Sequence, residues 1–194
     1  MIVTTSMLME QYQDFSDPYR KIRQQISGNK LIPVVRGIYE TDPSISGYVL
    51  APVIYGPSYL SLDYALARYG LIPEAVYVYT SVTCGKLKKK QYLNVFGSYS
   101  YRDIPAAAYP YGFEILEEGG YQYAMACPEK ALCDKIYTSP LANTIRDMEL
   151  LLLESMRMEP ENLKQLNRSD ISEISEKYRS TNVRLLSDFL RRLK

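Results

Sequence analysis

The chain has 194 residues, enough for one domain of ordinary size or a small module attached to a larger one. A formal net charge of +1 gives no global pull toward nucleic acid or membrane, so binding to either needs a local patch. The absence of histidine excludes Ser-His-Asp and Cys-His catalysis and removes the commonest zinc ligand, which leaves carboxylate, lysine, tyrosine or magnesium chemistry.

Hydrophobic residues at 46% and charged residues at 23% suit a soluble globular protein. No apolar run approaches the roughly 20 residues that span a bilayer, so no membrane partner is expected. The opening "MIVTTSMLMEQY" has no basic region ahead of an apolar stretch and does not read as a secretory signal. Cys84, Cys127 and Cys133 form no CxxC pair and are too few for a structural zinc site. A reduced, cytoplasmic chain with small buried thiols and no metal or cofactor is the expectation.

In chain order, the spacing predicts a first helix over Ser6–Tyr12, with Met7, Leu8 and Tyr12 inward. Asp17 offers an N-cap and Pro18 the favoured first helical position of a second helix, which runs to Ser27 and stops at Gly28-Asn29. At about 100° per residue, Tyr19, Ile22 and Ile26 fall on one side of it. Arg20, Lys21 and Gln24 fall on the other, flanked by Arg23 and Gln25. Such a face can meet phosphates and base edges in a major groove, and it can equally be an ordinary solvated face of good helix formers. "KLIPVVRGIY" predicts a hairpin turning between Pro33 and Gly37, with Arg36 at its tip. Two helices followed by a hairpin is the order of a winged helix-turn-helix. "TDPSISG", Thr41–Gly47, reads as a linker that few contacts should cross.

"PSYLSLDYALARYGLIP" predicts a helix from a Ser61 N-cap to Gly70, with Asp63 in its first turn and Ala65, Leu66 and Tyr69 on one stripe. Strands are expected at "AVYVYTSVT", "YLNVFGSYSYRDI", "GFEILEEGG" and "YQYAMA". "CPEKALCDKIY" reads as a helix with Leu132, Cys133 and Ile136 inward and a surface ion pair between Lys130 and Asp134. From Asn143 the pattern is helical, with a capping box at Asp170 and Glu173. The expected fold class is α+β. A winged helix-turn-helix-like unit over 1–42 precedes a domain over 47–194, whose 47–140 part holds a mixed or antiparallel sheet and whose 141–194 part is helical.

Lys86, Lys88, Lys89, Lys90 and Arg102 form a basic patch in a stretch, Ala75–Arg102, without an acidic residue. It is read either as protection of a sheet edge or as a phosphate-contacting surface. Nineteen tyrosines against no tryptophan raise base stacking as a use for Tyr99, Tyr101, Tyr121 and Tyr123, although packing accounts for them as well. The carboxylates Glu114, Glu117, Glu118, Glu129 and Asp134 fall short of a magnesium nuclease pattern. "FEILEEG" lacks the lysine that pattern needs, and "PEKALCDK" has the wrong spacing. No catalytic residue is assigned.

Taken together, "VVRGIY", "PSYLSLDYALARYGLIP", "YTSVT", "FGSYSYRDI" and "MACPEKALCDKIY" resemble the AbiEi family of antitoxins and transcriptional regulators of type IV toxin–antitoxin, or abortive-infection, systems. The resemblance covers roughly Thr4 to Tyr137. It implies an N-terminal winged helix-turn-helix that binds promoter DNA at inverted repeats through Arg20, Lys21, Arg23, Gln24 and Arg36. It also implies a C-terminal antitoxin domain, and to that domain the basic patch is assigned. The functional partner it implies is a nucleotidyltransferase-like toxin, opposed without a stable complex. Two alternatives stay open: an interaction module without DNA binding, and a degenerate nuclease-like fold.

Overall fold

The computed structural model describes residues 1–193; Lys194 lies outside the described residues. The first forty residues build strand β1 (Ile2–Thr4), helices α1 (Thr5–Gln11) and α2 (Pro18–Ser27), and strands β2 (Ile32–Val35) and β3 (Ile38–Glu40). The strands form an antiparallel sheet in the order β1-β3-β2. Strand β1 is not expected from the sequence, because three residues are too few to show an alternation. Helix α1 starts one residue early, where Thr4 accepts the amide of Met7. Helix α2 begins as predicted: Asp17 accepts the Arg20 amide at 2.9 Å, ahead of Pro18. It ends at Gly28, and Asn29 then turns left-handed at φ 54°.

Val3, Leu8, Ile22 and Leu31 make a small core, with Tyr12, Ile26 and Tyr39 packed against it. Two expected core residues are outside it. Met7 is exposed, and Tyr19, expected inward, is 55% exposed. A core this small has room for one stripe of α2, which Ile22 and Ile26 fill, and Tyr19 lies a turn before them.

The Thr41–Gly47 segment does not isolate this unit. Val34 belongs to the main core of the molecule, and the Asn94 amide donates to its carbonyl at 3.0 Å. The Tyr121 hydroxyl donates to buried Glu40 at 2.8 Å, and Ser46 donates to Glu118 at 2.9 Å. The hairpin of β2 and β3 has two faces, and each is packed against a different core.

The main sheet runs β6 (Lys90–Asn94), β7 (Gly97–Ile104), β5 (Val78–Cys84), β4 (Tyr59–Leu60), β9 (Tyr121–Ala126), β8 (Phe113–Glu118). It is mixed: β5 and β7 are parallel, as are β4 and β9, and the other neighbours are antiparallel. A 3₁₀ turn at Gly47–Leu50 and the short helix α3 (Ala51–Ile54) cover one face. There Tyr99 donates to the Gly47 carbonyl at 2.9 Å and Tyr101 to the Ala51 carbonyl at 2.7 Å. Gly47 must lack a side chain, since a Cβ would lie 2.2 Å from the Phe96 carbonyl oxygen. Tyr99, Tyr101 and Tyr123 are all buried, so these side chains pack and offer no platform for bases.

Helices α4 (Leu62–Arg68) and α5 (Pro128–Thr138) lie on the other face, and α8 (Arg168–Tyr178) and α9 (Thr181–Arg192) pack on α5. Helix α6 (Ile145–Glu149) continues as a wider π turn over Leu150–Ser155 and packs on α9; α7 spans Pro160–Gln165. The capping box sits at Thr144 and Asp147, not at Asp170 and Glu173. Asn167 caps α8, which starts three residues earlier than the sequence pattern suggests and leaves Asp170 inside the first turn.

Candidate functional site

Ser61 precedes α4 as an N-cap should, yet its hydroxyl caps nothing. Leu62 enters the helix through a left-handed φ of 58°, and the Ser61 hydroxyl donates instead to Asp134 at 2.7 Å. The capping work passes to Thr80 on β5, whose hydroxyl oxygen accepts the Tyr64 amide at 2.9 Å and donates to the Ser61 carbonyl at 2.6 Å.

Asp134 is the centre of a buried network. Lys130 stands one turn before it on α5, with Nζ 3.2 Å from Oδ1, and both side chains are 0% exposed. The expected surface ion pair is therefore a core ion pair. The inward stripe of α5 is wider than Leu132, Cys133 and Ile136 alone, because α8 closes over the helix. Tyr59 donates to Oδ2 at 3.2 Å and Tyr178 donates to Oδ1. The Lys130 ammonium also donates to the Ala108 carbonyl at 2.8 Å and lies 4.5 Å from the centre of the Tyr178 ring. Burial, and after it the charge of Asp134, pushes both phenols far above their ordinary range, so they stay protonated and donate. Each oxygen of the carboxylate has donors, which is what an ion pair needs to persist without water. Tyr59, Ser61, Lys130, Asp134 and Tyr178 are all buried.

Two of the three thiols are held in their neutral form by burial. Cys127 precedes α5, where a helix N-terminus favours thiolate, but burial pushes its thiol up to about 11. Burial acts likewise on Cys133. Among the described residues there is no group of three metal-ligating side chains, and no helix is long and apolar enough to cross a membrane.

The basic residues singled out from the sequence lie in two places on the surface. On α2, Arg20, Arg23 and Gln24 are exposed, and Arg36 is exposed at the turn of the hairpin, which Gly37 makes at φ 82°. Lys21 is less free: its ammonium rests 5.1 Å from the centre of the Phe15 ring. Arg23 lies 3.8 Å from Asp17, an exposed pair that holds little.

The second place is the loop between β5 and β6 with its neighbour Arg102. Asp103, just past the stretch that lacks acids, organises it: its carboxylate accepts the amides of Lys86 at 3.2 Å and Leu87 at 3.0 Å. Lys88, Lys89 and Arg102 line a groove of about 250 Å³ together with Asp103 and Thr138. Lys86 and Lys90 are turned elsewhere. Lys86 sits 5.4 Å over the Tyr55 ring, and Lys90 pairs with Tyr101, whose side chain points to the α3 face. The sheet thus divides the basic patch, bringing three of its five residues together. The sequence run shows the charge but not the pleat that splits it.

No protein-family model and no curated protein matches the chain.

Proposed function

We propose that the chain is a non-enzymatic regulator of the AbiEi kind, cytoplasmic, which represses its own promoter and opposes a nucleotidyltransferase-like toxin without a stable complex. One observation carries the reading. The order β-α-α-β-β, with the sheet arranged β1-β3-β2, is that of a winged helix-turn-helix from its first strand onward. In that geometry the second helix enters the major groove with its outward side chains on base edges and phosphates. Arg20, Arg23 and Gln24 are exposed on α2, as are Tyr19 and Ser27, and Arg36 stands at the turn that would serve as the wing. Lys21 adds charge beside them.

A second observation supports the family and the lack of catalysis. "PSYLSLDYALARYGLIP" and "MACPEKALCDKIY" carry most of the resemblance, and they meet through Ser61, Lys130 and Asp134. Their polar residues hold α4 and the sheet to α5. They are scaffold, buried in the core. The antitoxin surface of this reading is the groove of Lys88, Lys89 and Arg102.

The test is two readouts on one set of variants. Repression of a reporter behind the upstream region should fail with Arg20→Ala/Arg23→Ala and survive with Lys88→Glu/Lys89→Glu. Growth rescue on induction of the neighbouring toxin should show the reverse. Repression and rescue lost together in both folded variants would refute the division. Absence of repression by the unaltered chain would leave an interaction module in its place.

A further inference from the structure

The main sheet ends in two edges of opposite charge, each with one strand partner, and the end of β6 also bonds to β2 through Asn94 and Val34. β6 pairs only with β7 and β8 only with β9. Lys88 and Lys89 lead into β6, which begins at Lys90 and exposes Leu93 at 82%. β8 carries Glu114, Glu117 and Glu118 and exposes Ile115 at 70%. Like charges placed opposite one another disfavour pairing of either edge with itself. The same charges favour pairing of one edge with the other.

We infer that β6 of one molecule takes β8 of a second copy as its neighbour, so that copies associate head to tail through a continuous sheet. Direction and pleat both allow it. β6 is antiparallel to β7, which is parallel to β5; β5 is antiparallel to β4, which is parallel to β9; and β9 is antiparallel to β8. Followed across the sheet, β6 and β8 run in opposite directions, so a simple repeat of the molecule presents β8 antiparallel to β6. Faces follow from the same ladders. Leu93 pairs with Ser98, which lies beside Val78. Ile115 pairs with Ala124, on the face opposite Tyr123 and Met125. Met125 shares its face with Leu60 and Ser81, hence with Tyr79 and Tyr99, so Ile115 and Leu93 lie together on the other face, that of α5.

A repeat that keeps the sheet continuous keeps these faces aligned. With Leu93 opposite Ile115 of the next copy, Lys90 stands opposite Glu118 of that copy. Lys89 then falls diagonal to its Glu117, within reach of long side chains. The two most exposed apolar side chains of the edges cover each other. Such an interface is heterologous and does not close at a dimer.

The experiment is sedimentation velocity of the full chain over a range of concentrations at low salt, without DNA. The average mass should rise with concentration beyond that of a dimer and fall back as salt is added. Lys89→Glu/Lys90→Glu alone and Glu114→Lys/Glu117→Lys alone should each lose association, since each makes both edges alike in charge. Glu118 is left in place because it holds Ser46 and Tyr48. Mixing the two variants should restore association, because every basic edge again meets an acidic one; a merely misfolded variant would not be rescued. A chain that stays monomeric, that stops at a dimer, or whose association ignores both reversals would overturn the inference.

Discussion

The Lys130–Asp134 network and the outer face of α2 are both rich in charge, and they use it in opposite ways. In the first, every ion is buried and answered by a donor or acceptor, and three elements meet on it. In the second, Arg20, Arg23 and Gln24 stand in solvent. A polar group sealed from water stabilises or destabilises the fold, while one facing water is free for a ligand. The comparison separates the residues that make this chain fold from those available for a partner.

The largest effect should come from breaking the network on one side. Asp134→Ala leaves the Lys130 ammonium buried without its counter-ion and should cost about 3–5 kcal/mol in denaturant unfolding. Replacing both ions, as in Lys130→Met/Asp134→Leu, should cost much less than the sum of the single changes. A double variant as unstable as Asp134→Ala would mean that the pair itself, and not the unpaired ion, matters.

Next in size is Glu40, the buried carboxylate between the two cores. Burial opposes its charge, but the Met1 amino group, the Asp42 amide, the Tyr121 hydroxyl and the Thr41 amide outweigh that and hold its carboxyl below the usual carboxylate range. A lowered native value means that the ionised form stabilises the fold. That contribution is complete above the unfolded carboxylate's pKa and disappears as pH falls through the lower native one. Glu40→Gln should therefore cost about 1–3 kcal/mol at neutral pH, from donors left without an acceptor. In acid the variant and the parent should converge. A difference that persists below the native value would contradict the sign.

Smaller again is Asn94→Ala, which removes the bond to the Val34 carbonyl and should cost about 0.5–1.5 kcal/mol. Arg20→Ala/Arg23→Ala should be close to neutral, within about 0.5 kcal/mol for each change, since both side chains are exposed. Loss of repression in that variant then cannot be blamed on folding.

The sequence makes α2 legible to its caps, because Asp17, Pro18, Gly28 and Asn29 act within a few residues of the helix they bound. The α+β class follows from the same local signals: alternation in β7 and β9 and helical spacing from Asn143. The network is not legible in the same way. Ser61 has every local qualification of an N-cap, and only the nearness of Asp134, distant in sequence, redirects it. Lys130 and Asp134 at a four-residue spacing look like any surface pair until α8 covers them. β1 is too short to read, and its pairing with β3 depends on residues nearly forty positions away. The division of the basic patch depends on strand register, which no charge count contains.

The proposed function requires that the exposed face of α2 and the hairpin turn bind DNA while the charged motifs of the sheet domain take no part in chemistry. Its most direct test is the salt dependence of binding to the upstream DNA, measured for the parent and for Arg20→Ala/Arg23→Ala/Arg36→Ala. Each phosphate deprived of its arginine should flatten the slope of log K against log salt by about 0.9, so the slope of the triple variant should be shallower than the parent's by up to about 2.7. No binding by the parent at low salt, or a triple variant with the parent's slope, would contradict the account.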